Sequence, residues 1–135
     1  MSIEETQRVF EAFARASNEE WSDVDSMVSL FSEDGAAPFG GIDGLREFET
    51  SYRVAFPDWH REFTRVVIGD DGFAVVSRIR ATNAGPYLGN PATNREIDIE
   101  GASFFRVVNG KISEALVVGM EAIGAKMAEQ LGLGG

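Results

Sequence analysis

The chain has 135 residues, with 22 acidic and 12 basic side chains and a formal net charge of −10 at pH 7. This length fits one domain that buries a single core, and we expect that domain to span residues 1–135. The acidic balance disfavours nucleic acid or an anionic membrane as a partner, because phosphate contacts need clustered Lys and Arg. The sequence contains no cysteine, which excludes disulfides and thiolate chemistry.

The targeting and metal-binding signals of the sequence are weak. No run of about 18 apolar residues predicts a membrane span. Glu4 and Glu5 stand where a signal peptide needs a basic region, so we expect a cytoplasmic protein. The single histidine, His60, argues against a histidine-based metal site. We therefore expect neither a metal nor another cofactor.

Helical periodicity dominates the first part of the chain. Ser2 and Glu5 form a capping box that predicts a helix start. The apolar positions at helical spacing fall into three groups: Val9, Phe10, Phe13 and Ala14; Trp21, Val24, Met27, Val28 and Phe31; and Leu45, Phe48, Tyr52 and Phe56. Asp43 is the expected N-cap of the third helix, and Pro57 ends it because the residue before proline avoids the helical region.

After Pro57 the apolar period changes from 3.6 to 2, which predicts strands. Asn109-Gly110 is a strong signal for a two-residue hairpin between the last two strands. The predicted strands span 59–68, 73–82, 95–108 and 111–120, and a final helix spans 121–131. Helices followed by a meander of antiparallel strands predict an α+β domain whose helices cover one sheet face.

The hairpin predicts which strand residues share a face. A two-residue turn sets Val108 opposite Lys111, and directly opposite residues point the same way. Extending that register without interruption places Glu114 inward beside Phe105, where a helix arginine would be its partner. The predicted inner face consists of Ile97, Ile99, Gly101, Ser103, Phe105, Leu116, Val118 and Met120.

The opposite, outer face is half acidic and half apolar. Its predicted members are Glu96, Asp98, Glu100, Ala102, Phe104, Ala115 and Val117. We expect the acidic half to pair with Arg78 and Arg80 of the neighbouring strand. An apolar patch of Ala102, Phe104, Ala115 and Val117 favours a homodimer formed through this face. The alternative is a monomer with scattered apolar surface residues.

Four segments together resemble the SnoaL-like polyketide cyclase family of the nuclear transport factor 2-like superfamily. They are FPDWHREF, GPYLGNPATN, GASFFRVVNGKISEALV and the terminal QLGL. The resemblance implies a curved sheet wrapped by helices into a cone-shaped roll, with a pocket at the open end. The long loop that precedes the third strand would then shape the mouth of the cone.

The resemblance also implies a chemistry. Cyclases of this family close a ring by intramolecular aldol addition, in which an acidic residue removes a proton next to a carbonyl without metal or cofactor. The positions that match the family's aspartate, tryptophan and loop histidine are Met120, Leu116 and Asn83 here. Glu121 is the candidate displaced acid, although a carboxylate is also favoured in a first helical turn for structural reasons. Asn83 and Tyr52 are the candidate donors to an enolate.

The predicted pocket wall combines apolar side chains with a few neutral polar groups. Its candidate ligand-binding residues are Trp59, Phe63, Ser77, Ser103, Phe105, Leu116, Val118 and Met120. The alternative is that most of these residues are simply core. His60 is expected to face outward. Arg61 has inward parity and could bind a carboxylate ligand, but we expect it to reach solvent from an edge strand.

Three functions stay open at this point. The first is a cyclase or isomerase that acts on a small apolar carbonyl compound. The second is a non-catalytic protein that binds a small hydrophobic ligand, which loss of the family's acid and histidine would favour. The third is a dimeric interaction module whose pocket is residual.

Overall fold

The computed structural model describes residues 2–133 and confirms the α+β class. The elements in chain order are α1 (Ile3–Ala16), α2 (Val24–Val28), α3 (Glu33–Ala36), α4 (Gly41–Ala55), β1 (His60–Ile68), β2 (Gly72–Thr82), β3 (Glu96–Val108), β4 (Lys111–Val118) and α5 (Met120–Leu131). A short 3-10 helix, Ala37–Phe39, links α3 to α4. Within the described residues, no helix combines the length and apolar character needed to cross a bilayer.

The four strands form one antiparallel sheet in the order β1-β2-β3-β4, as a meander. Asn109 and Gly110 both have positive φ, at 52° and 74°, which is the backbone of a two-residue hairpin turn. Along β3, buried and exposed residues alternate, so one face of the sheet packs against the helices. On the other face Arg78 makes two hydrogen bonds to Asp98, at 2.9 and 2.6 Å, as the charge pattern predicts.

The helix boundaries follow local chemistry. The Ser2 hydroxyl accepts a hydrogen bond from the Glu5 amide at 3.1 Å, which confirms the predicted start of α1. The second predicted helix is shorter than the apolar pattern from Trp21 to Phe31 indicates. Only the five residues of α2 are helical there. Helix α4 begins after Gly40, whose φ is 94°, so Asp43 lies in the first turn rather than at the N-cap.

The predicted register of β4 is wrong beyond the hairpin. Val108 faces Lys111 as expected, but a bulge follows, and Arg106 then faces Glu114. The extra residue turns Glu114 to the exposed outer face and Ala115 toward the interior. An uninterrupted register would have buried the Glu114 carboxylate in the core, at a cost of several kcal/mol. The bulge avoids that cost.

Ile112 fixes the start of β4 before the bulge. Its amide donates to the carbonyl oxygen of Leu30 at 2.7 Å, and its own carbonyl accepts from the Ser32 amide at 3.0 Å. The Ile112 side chain is fully buried. With Ile112 held inward and Glu114 outward, the strand needs one additional residue between them.

Besides Glu114, the bulge exchanges the predicted faces of four other residues. Leu116 and Val118 are 56% and 57% exposed on the outer face, so their prediction as inner residues is wrong. Ala115 and Val117, predicted on the outer face, point inward. Met120 lies beyond the strand and is the first residue of α5.

The interior divides into two hydrophobic clusters. One end, here called the phenylalanine end, contains Val9, Phe13, Ala16, Met27, Phe73, Val75, Phe105, Val107 and Ile112, with Phe10 and Phe63 packed against them. The other end, here called the cavity end, contains Ala55, Phe56, Ala81, Ile97, Ile99, Met127 and Leu131. The candidate site lies at the cavity end.

Candidate functional site

A cavity of about 260 Å³ opens between α4, α5, the loop before β3 and the inner face of the sheet. Its wall consists of Trp21, Phe48, Glu49, Tyr52, Trp59, Tyr87, Ile99, Val117, Met120, Ile123, Gly124 and Met127. An apolar cavity with a few polar groups is the usual form of a small-molecule site. Glu49 is the one carboxylate among these wall residues.

Aromatic side chains form one wall of the cavity. Trp21 and Trp59 stack with ring centroids 4.9 Å apart and planes only 6° from parallel. The indole nitrogen of Trp21 donates to the carbonyl oxygen of Phe56 at 2.9 Å, which fixes the stack to the end of α4. Tyr52 meets Trp59 edge-on at 5.8 Å and lies 6.0 Å from Tyr87. Such contacts hold flat surfaces in place for an apolar ligand.

Glu49 lies on α4, one turn before Arg53. Its Oε1 accepts a hydrogen bond from Arg53 Nη1 at 3.0 Å. Burial raises the pKa of the Glu49 carboxyl, while Arg53 and, more weakly, Arg61 act in the opposite direction. A carboxyl with a raised pKa in an apolar cavity suits general acid-base chemistry near neutral pH.

Arg53 is held by packing as well as by charge. Its guanidinium lies 4.1 Å over the ring of Trp21, and Nη1 also donates to the carbonyl oxygen of Glu49 at 2.8 Å. The side chain is 8% exposed. Its Nε and Nη2 atoms are buried and have no hydrogen-bond partner among the described residues. The N–H groups at Nε and Nη2 of Arg53 are therefore able to donate further hydrogen bonds.

Arg61 points into the interior, so the expectation that it reaches solvent is wrong. Its Nε donates to the Ser77 hydroxyl at 2.9 Å, and the guanidinium lies 4.9 Å from the ring of Phe13 and 5.3 Å from that of Phe63. Burial lowers the pKa of Arg61 to about 10, against the attraction of Glu49. Arg61 is thus still charged at neutral pH.

The Asn18 side chain fixes the backbone at the position of Arg61. Asn18 Oδ1 accepts from the Arg61 amide at 2.7 Å, and Asn18 Nδ2 donates to the Arg61 carbonyl at 2.9 Å. These bonds replace a neighbouring strand along the edge of β1 and set Arg61 toward the interior. Glu49, Arg53 and Arg61 are called the charged cluster below.

Tyr52 and Tyr87 are the neutral hydrogen-bonding groups of the wall. Burial raises the pKa of the Tyr52 phenol, and Tyr87 and Glu49 raise it further. The phenol therefore stays protonated at neutral pH, so it can donate a hydrogen bond to a ligand oxygen.

The model of the SnoaL-like polyketide cyclase family matches residues 4–119. The chain belongs to this family. No curated protein matches its sequence.

Several solved structures share the fold of this family member. TsrD from Streptomyces laurentii superimposes with a TM-score of 0.77 at 18% identity and covers 98% of both chains. A SnoaL-like polyketide cyclase from Agrobacterium tumefaciens gives 0.67 at 16% identity, over 94% of this chain and 98% of the other. A hypothetical protein with a ketosteroid isomerase-like fold from Catenulispora acidiphila, solved with trimethylamine, gives 0.71 at 15% identity over 95% of each. These likenesses establish the cone-shaped fold.

Three of the residues proposed from the sequence meet in the cavity of this SnoaL-like chain. Tyr52, Trp59 and Met120 all belong to its wall. Six others lie elsewhere: Phe63 and Phe105 at the phenylalanine end, Ser77 and Ser103 buried in β2 and β3, and Leu116 and Val118 on the outer face. The last two are outside because of the bulge in β4.

Asn83 is structural rather than available to a ligand. Its Nδ2 donates to the carbonyl oxygens of Ala55 at 3.3 Å and Gly85 at 2.8 Å. Its Oδ1 accepts from both the amide and the hydroxyl of Thr93, each at 2.9 Å. The side chain is fully buried and ties the long loop to the end of α4. The prediction of Asn83 as an enolate donor is corrected by these four bonds.

Glu121 lies in the first turn of α5 with an exposed side chain and is absent from the cavity wall. The strand ends before it, and the helix that begins at Met120 turns its carboxylate outward. A first-turn carboxylate is stabilised there by the helix dipole. This placement fits a Glu121 that stabilises the first turn of α5, and it does not fit Glu121 as the catalytic acid.

Glu49, Trp21 and Tyr87 were not identified as site residues from the sequence. For Glu49 a signal was present: it falls three residues before Tyr52 and four after Leu45, inside the apolar stripe of α4. A charged residue on an otherwise apolar stripe, with an arginine four positions later, indicates a buried ion pair. Tyr87 stands in a loop without periodicity, so its position could not be predicted in the same way.

Proposed function

We propose that this chain is a cofactor-independent enzyme of the cyclase or isomerase type that acts on a small apolar carbonyl compound, with Glu49 as its general base. The observation that carries this proposal is the position of Glu49, the single carboxylate in the wall of an aromatic cavity. The raised pKa of its carboxyl fits a group that exchanges protons with carbon acids. Membership of the SnoaL-like family agrees with such a reaction.

The proposed reaction begins with proton transfer from carbon to Glu49. The Glu49 carboxylate takes a proton from the carbon next to a carbonyl, and the electron pair of the broken C–H bond forms an enolate. The phenol hydroxyls of Tyr52 and Tyr87 donate hydrogen bonds to the enolate oxygen. Both lie in the same wall as Glu49.

The second step returns the proton. In a cyclisation, the enolate carbon forms a bond to a second carbonyl carbon of the same molecule, and the new alkoxide takes the proton from Glu49. In an isomerisation, Glu49 returns the proton to another carbon of the conjugated system. Either sequence is redox-neutral and leaves Glu49 ionised for the next turnover.

The first step is testable without the natural substrate. A simple phenyl-substituted alkyl ketone, 4-phenyl-2-butanone, exchanges the protons beside its carbonyl for deuterium in D₂O, which proton NMR records. We expect the protein to accelerate this exchange and Glu49→Gln to lose at least about 100-fold of the acceleration. Glu47→Gln is the matched control, since Glu47 lies on the same helix with an exposed side chain.

A second variant separates Glu49 from the acid suggested by the sequence. Glu121→Gln is expected to keep the exchange rate, because its side chain is outside the cavity. Full exchange in Glu49→Gln, or loss of exchange in Glu121→Gln, would overturn the assignment of the base.

Non-catalytic binding of a small hydrophobic ligand is the second candidate. It is favoured by Met120, which lies in the cavity wall and which the family resemblance matches to the family's aspartate. The residues that would contact such a ligand include Trp59 and Tyr52. Saturable binding of 4-phenyl-2-butanone with no proton exchange at any pH between 5 and 9 would support this function instead.

We also propose that two copies of the chain associate through the outer face. The corrected apolar patch on this face consists of Val67, Ala74, Val76, Ala102, Phe104, Leu116 and Val118. Arg78 and Asp98 stand beside the patch with opposite charges, so a two-fold axis can bring each against its opposite in the second copy. Sedimentation velocity tests this proposal, and a monomer at 100 μM would contradict it.

A further inference from the structure

The charged cluster of Glu49, Arg53 and Arg61 holds more positive than negative charge. Two guanidinium groups and one carboxylate meet between α4 and β1, which leaves one positive charge unbalanced even when Glu49 is ionised. Burial opposes the charged forms of both Glu49 and Arg61. A buried charge without a counter-charge is costly. The cluster therefore favours one additional negative charge nearby.

The hydrogen bonds of the cluster show the same imbalance. Nη1 of Arg53 donates to Glu49, but Nε and Nη2 have no acceptor among the described residues. On Arg61, Nε donates to the Ser77 hydroxyl. Each guanidinium has five N–H donors and no acceptor, so the cluster has a surplus of donors. Buried donors without acceptors are rare and often indicate a bound ligand or water.

We propose that the ligand of the cavity is an organic anion, an apolar ring or chain that carries a carboxylate or an acidic enol. This inference rests on the proposed function, because it concerns the same cavity and the same Glu49. The apolar body lies against the wall of Trp59 and Tyr52. The acidic group lies toward Glu49, in the electric field of Arg53 and Arg61.

Glu49 connects the cavity to the two arginines. It belongs to the cavity wall, whereas Arg53 is stacked on Trp21 and Arg61 contacts the ring of Phe13. The guanidinium groups thus act on a ligand mainly through charge, across a medium of low polarity.

Glu49 stays ionised, as the proposed base requires, and the two guanidinium groups of Arg53 and Arg61 outweigh its single negative charge. The net positive charge of the cluster therefore attracts the ligand's acidic group even with Glu49 as a carboxylate. The other ionisable groups that face this position are Arg53 and Tyr52 on α4, Arg61 on β1 and Tyr87 in the loop before β3.

A cationic ligand is the competing interpretation of the aromatic wall. Tryptophan and tyrosine rings attract ammonium groups, and Glu49 would add a carboxylate. The unbalanced positive charge of Arg53 and Arg61 decides against it, because both arginines repel an ammonium group at this position. One face of Trp21 is also already covered by Arg53.

The test compares three ligands of the same apolar body by isothermal titration calorimetry at pH 7. They are 4-phenylbutanoate, its methyl ester and 4-phenylbutylammonium. We expect the carboxylate to bind roughly tenfold more tightly than the ester, and the ammonium compound to bind most weakly. Equal or tighter binding of the ester or the ammonium compound, or no binding of all three, would overturn the proposal.

Variants then test whether the charged cluster causes the preference for the carboxylate over the ester. Arg61→Gln is expected to reduce the ratio of carboxylate to ester affinity, and Arg61→Lys, which keeps the charge, to retain it. Arg80→Gln removes the same charge from the exposed outer face and is expected to leave the ratio unchanged. An unchanged ratio in a folded Arg61→Gln protein would contradict the proposal. If that variant does not fold, the ligand series on the unmodified protein still decides.

Glu49→Gln separates this inference from the proposed function. The amide removes a negative charge and adds a hydrogen-bond donor, so the carboxylate should bind at least as tightly as in the unmodified protein. The same variant should lose proton exchange. If Glu49→Gln loses proton exchange but still binds the carboxylate, both proposals are supported. Loss of carboxylate binding in this variant overturns the organic-anion proposal alone.

Discussion

The two ends of the interior share one sheet but are covered by different helices, α1 and α2 at the phenylalanine end and α4 and α5 at the cavity end, where the candidate site opens. At the phenylalanine end, the ring of Phe105 lies 4.7 Å from Phe13, with the two planes tilted by 52°, and it stacks on Phe73 at 4.9 Å. At the cavity end, Trp21 and Trp59 stack in parallel and present a flat wall. The packed rings fill the space at the phenylalanine end, whereas a cavity of about 260 Å³ lies beside the Trp21–Trp59 stack.

The charged cluster lies where the two ends meet. Arg61 contacts the phenylalanine rings on one side and interacts with Glu49 of the cavity wall on the other. The three charged groups are thus concentrated beside the cavity, with Arg61 at the boundary to the phenylalanine end. This separation indicates that stability comes mainly from the phenylalanine end and chemistry from the cavity end.

The largest effect on stability is expected at the phenylalanine end. Phe73 is almost fully buried, so Phe73→Ala should lower the free energy of unfolding by about 3–5 kcal/mol. Trp59→Ala at the cavity wall should cost less, roughly 1–2 kcal/mol, because this ring already borders empty space. Urea denaturation measures both values. Equal losses would show that the cavity end is packed as tightly as the phenylalanine end.

The two faces of β4 provide the next test. Val117→Glu places a carboxylate on the inner face and should cost about 2–4 kcal/mol. Leu116→Glu, one position earlier, should change the unfolding free energy by less than about 1 kcal/mol, since Leu116 is exposed. It should also weaken association of two copies in sedimentation velocity. The reverse order of the two stabilities would contradict the bulged register.

A smaller effect is expected from Arg53, which adjusts Glu49 rather than touching a ligand. Because Arg53 lowers the pKa of the Glu49 carboxyl, Arg53→Gln should raise that pKa. The base is active when deprotonated, so the rate of proton exchange should rise with pH through this pKa, at higher pH in the variant. An unchanged pH profile would mean that Arg53 has only a structural role. Arg80→Gln is the matched control.

The smallest effect is expected at Ser2, which caps α1 far from the cavity wall. Ser2→Ala removes the hydrogen bond from the Glu5 amide and should cost about 1 kcal/mol. Proton exchange and ligand binding should not change. Altered binding in this variant would show that the two ends are coupled more strongly than their packing indicates.

The order of elements was predictable because each signal is local. Ser2 predicts the start of α1, Pro57 marks the end of α4, and Asn109-Gly110 predicts the hairpin. The bulge after the hairpin was not predictable from alternation. It results from two distant constraints, the bonds of Ile112 to the segment after α2 and the exclusion of Glu114 from the core.

The site was predicted only in part for the same reason. The inward positions of Tyr52 and Trp59 were predictable from helical periodicity and from strand alternation, and both residues lie in the cavity wall. The family resemblance predicted Glu121 as the acid of the site, whereas the carboxylate in the cavity wall is Glu49, on α4. Which carboxylate faces the cavity depends on how α4 is placed in the fold, and that placement is a tertiary property that no local pattern encodes.

The most direct test of the difference between the two ends is the titration of Glu49 in the ligand-free protein. Carbon-detected NMR of glutamate carboxyl groups, with Glu49 assigned by comparison with Glu49→Gln, requires no knowledge of the substrate. The expected result is a Glu49 pKa above the ordinary value of 4.5. A Glu49 carboxyl that titrates at or below that value would contradict the assignment of Glu49 as a buried, tuned base.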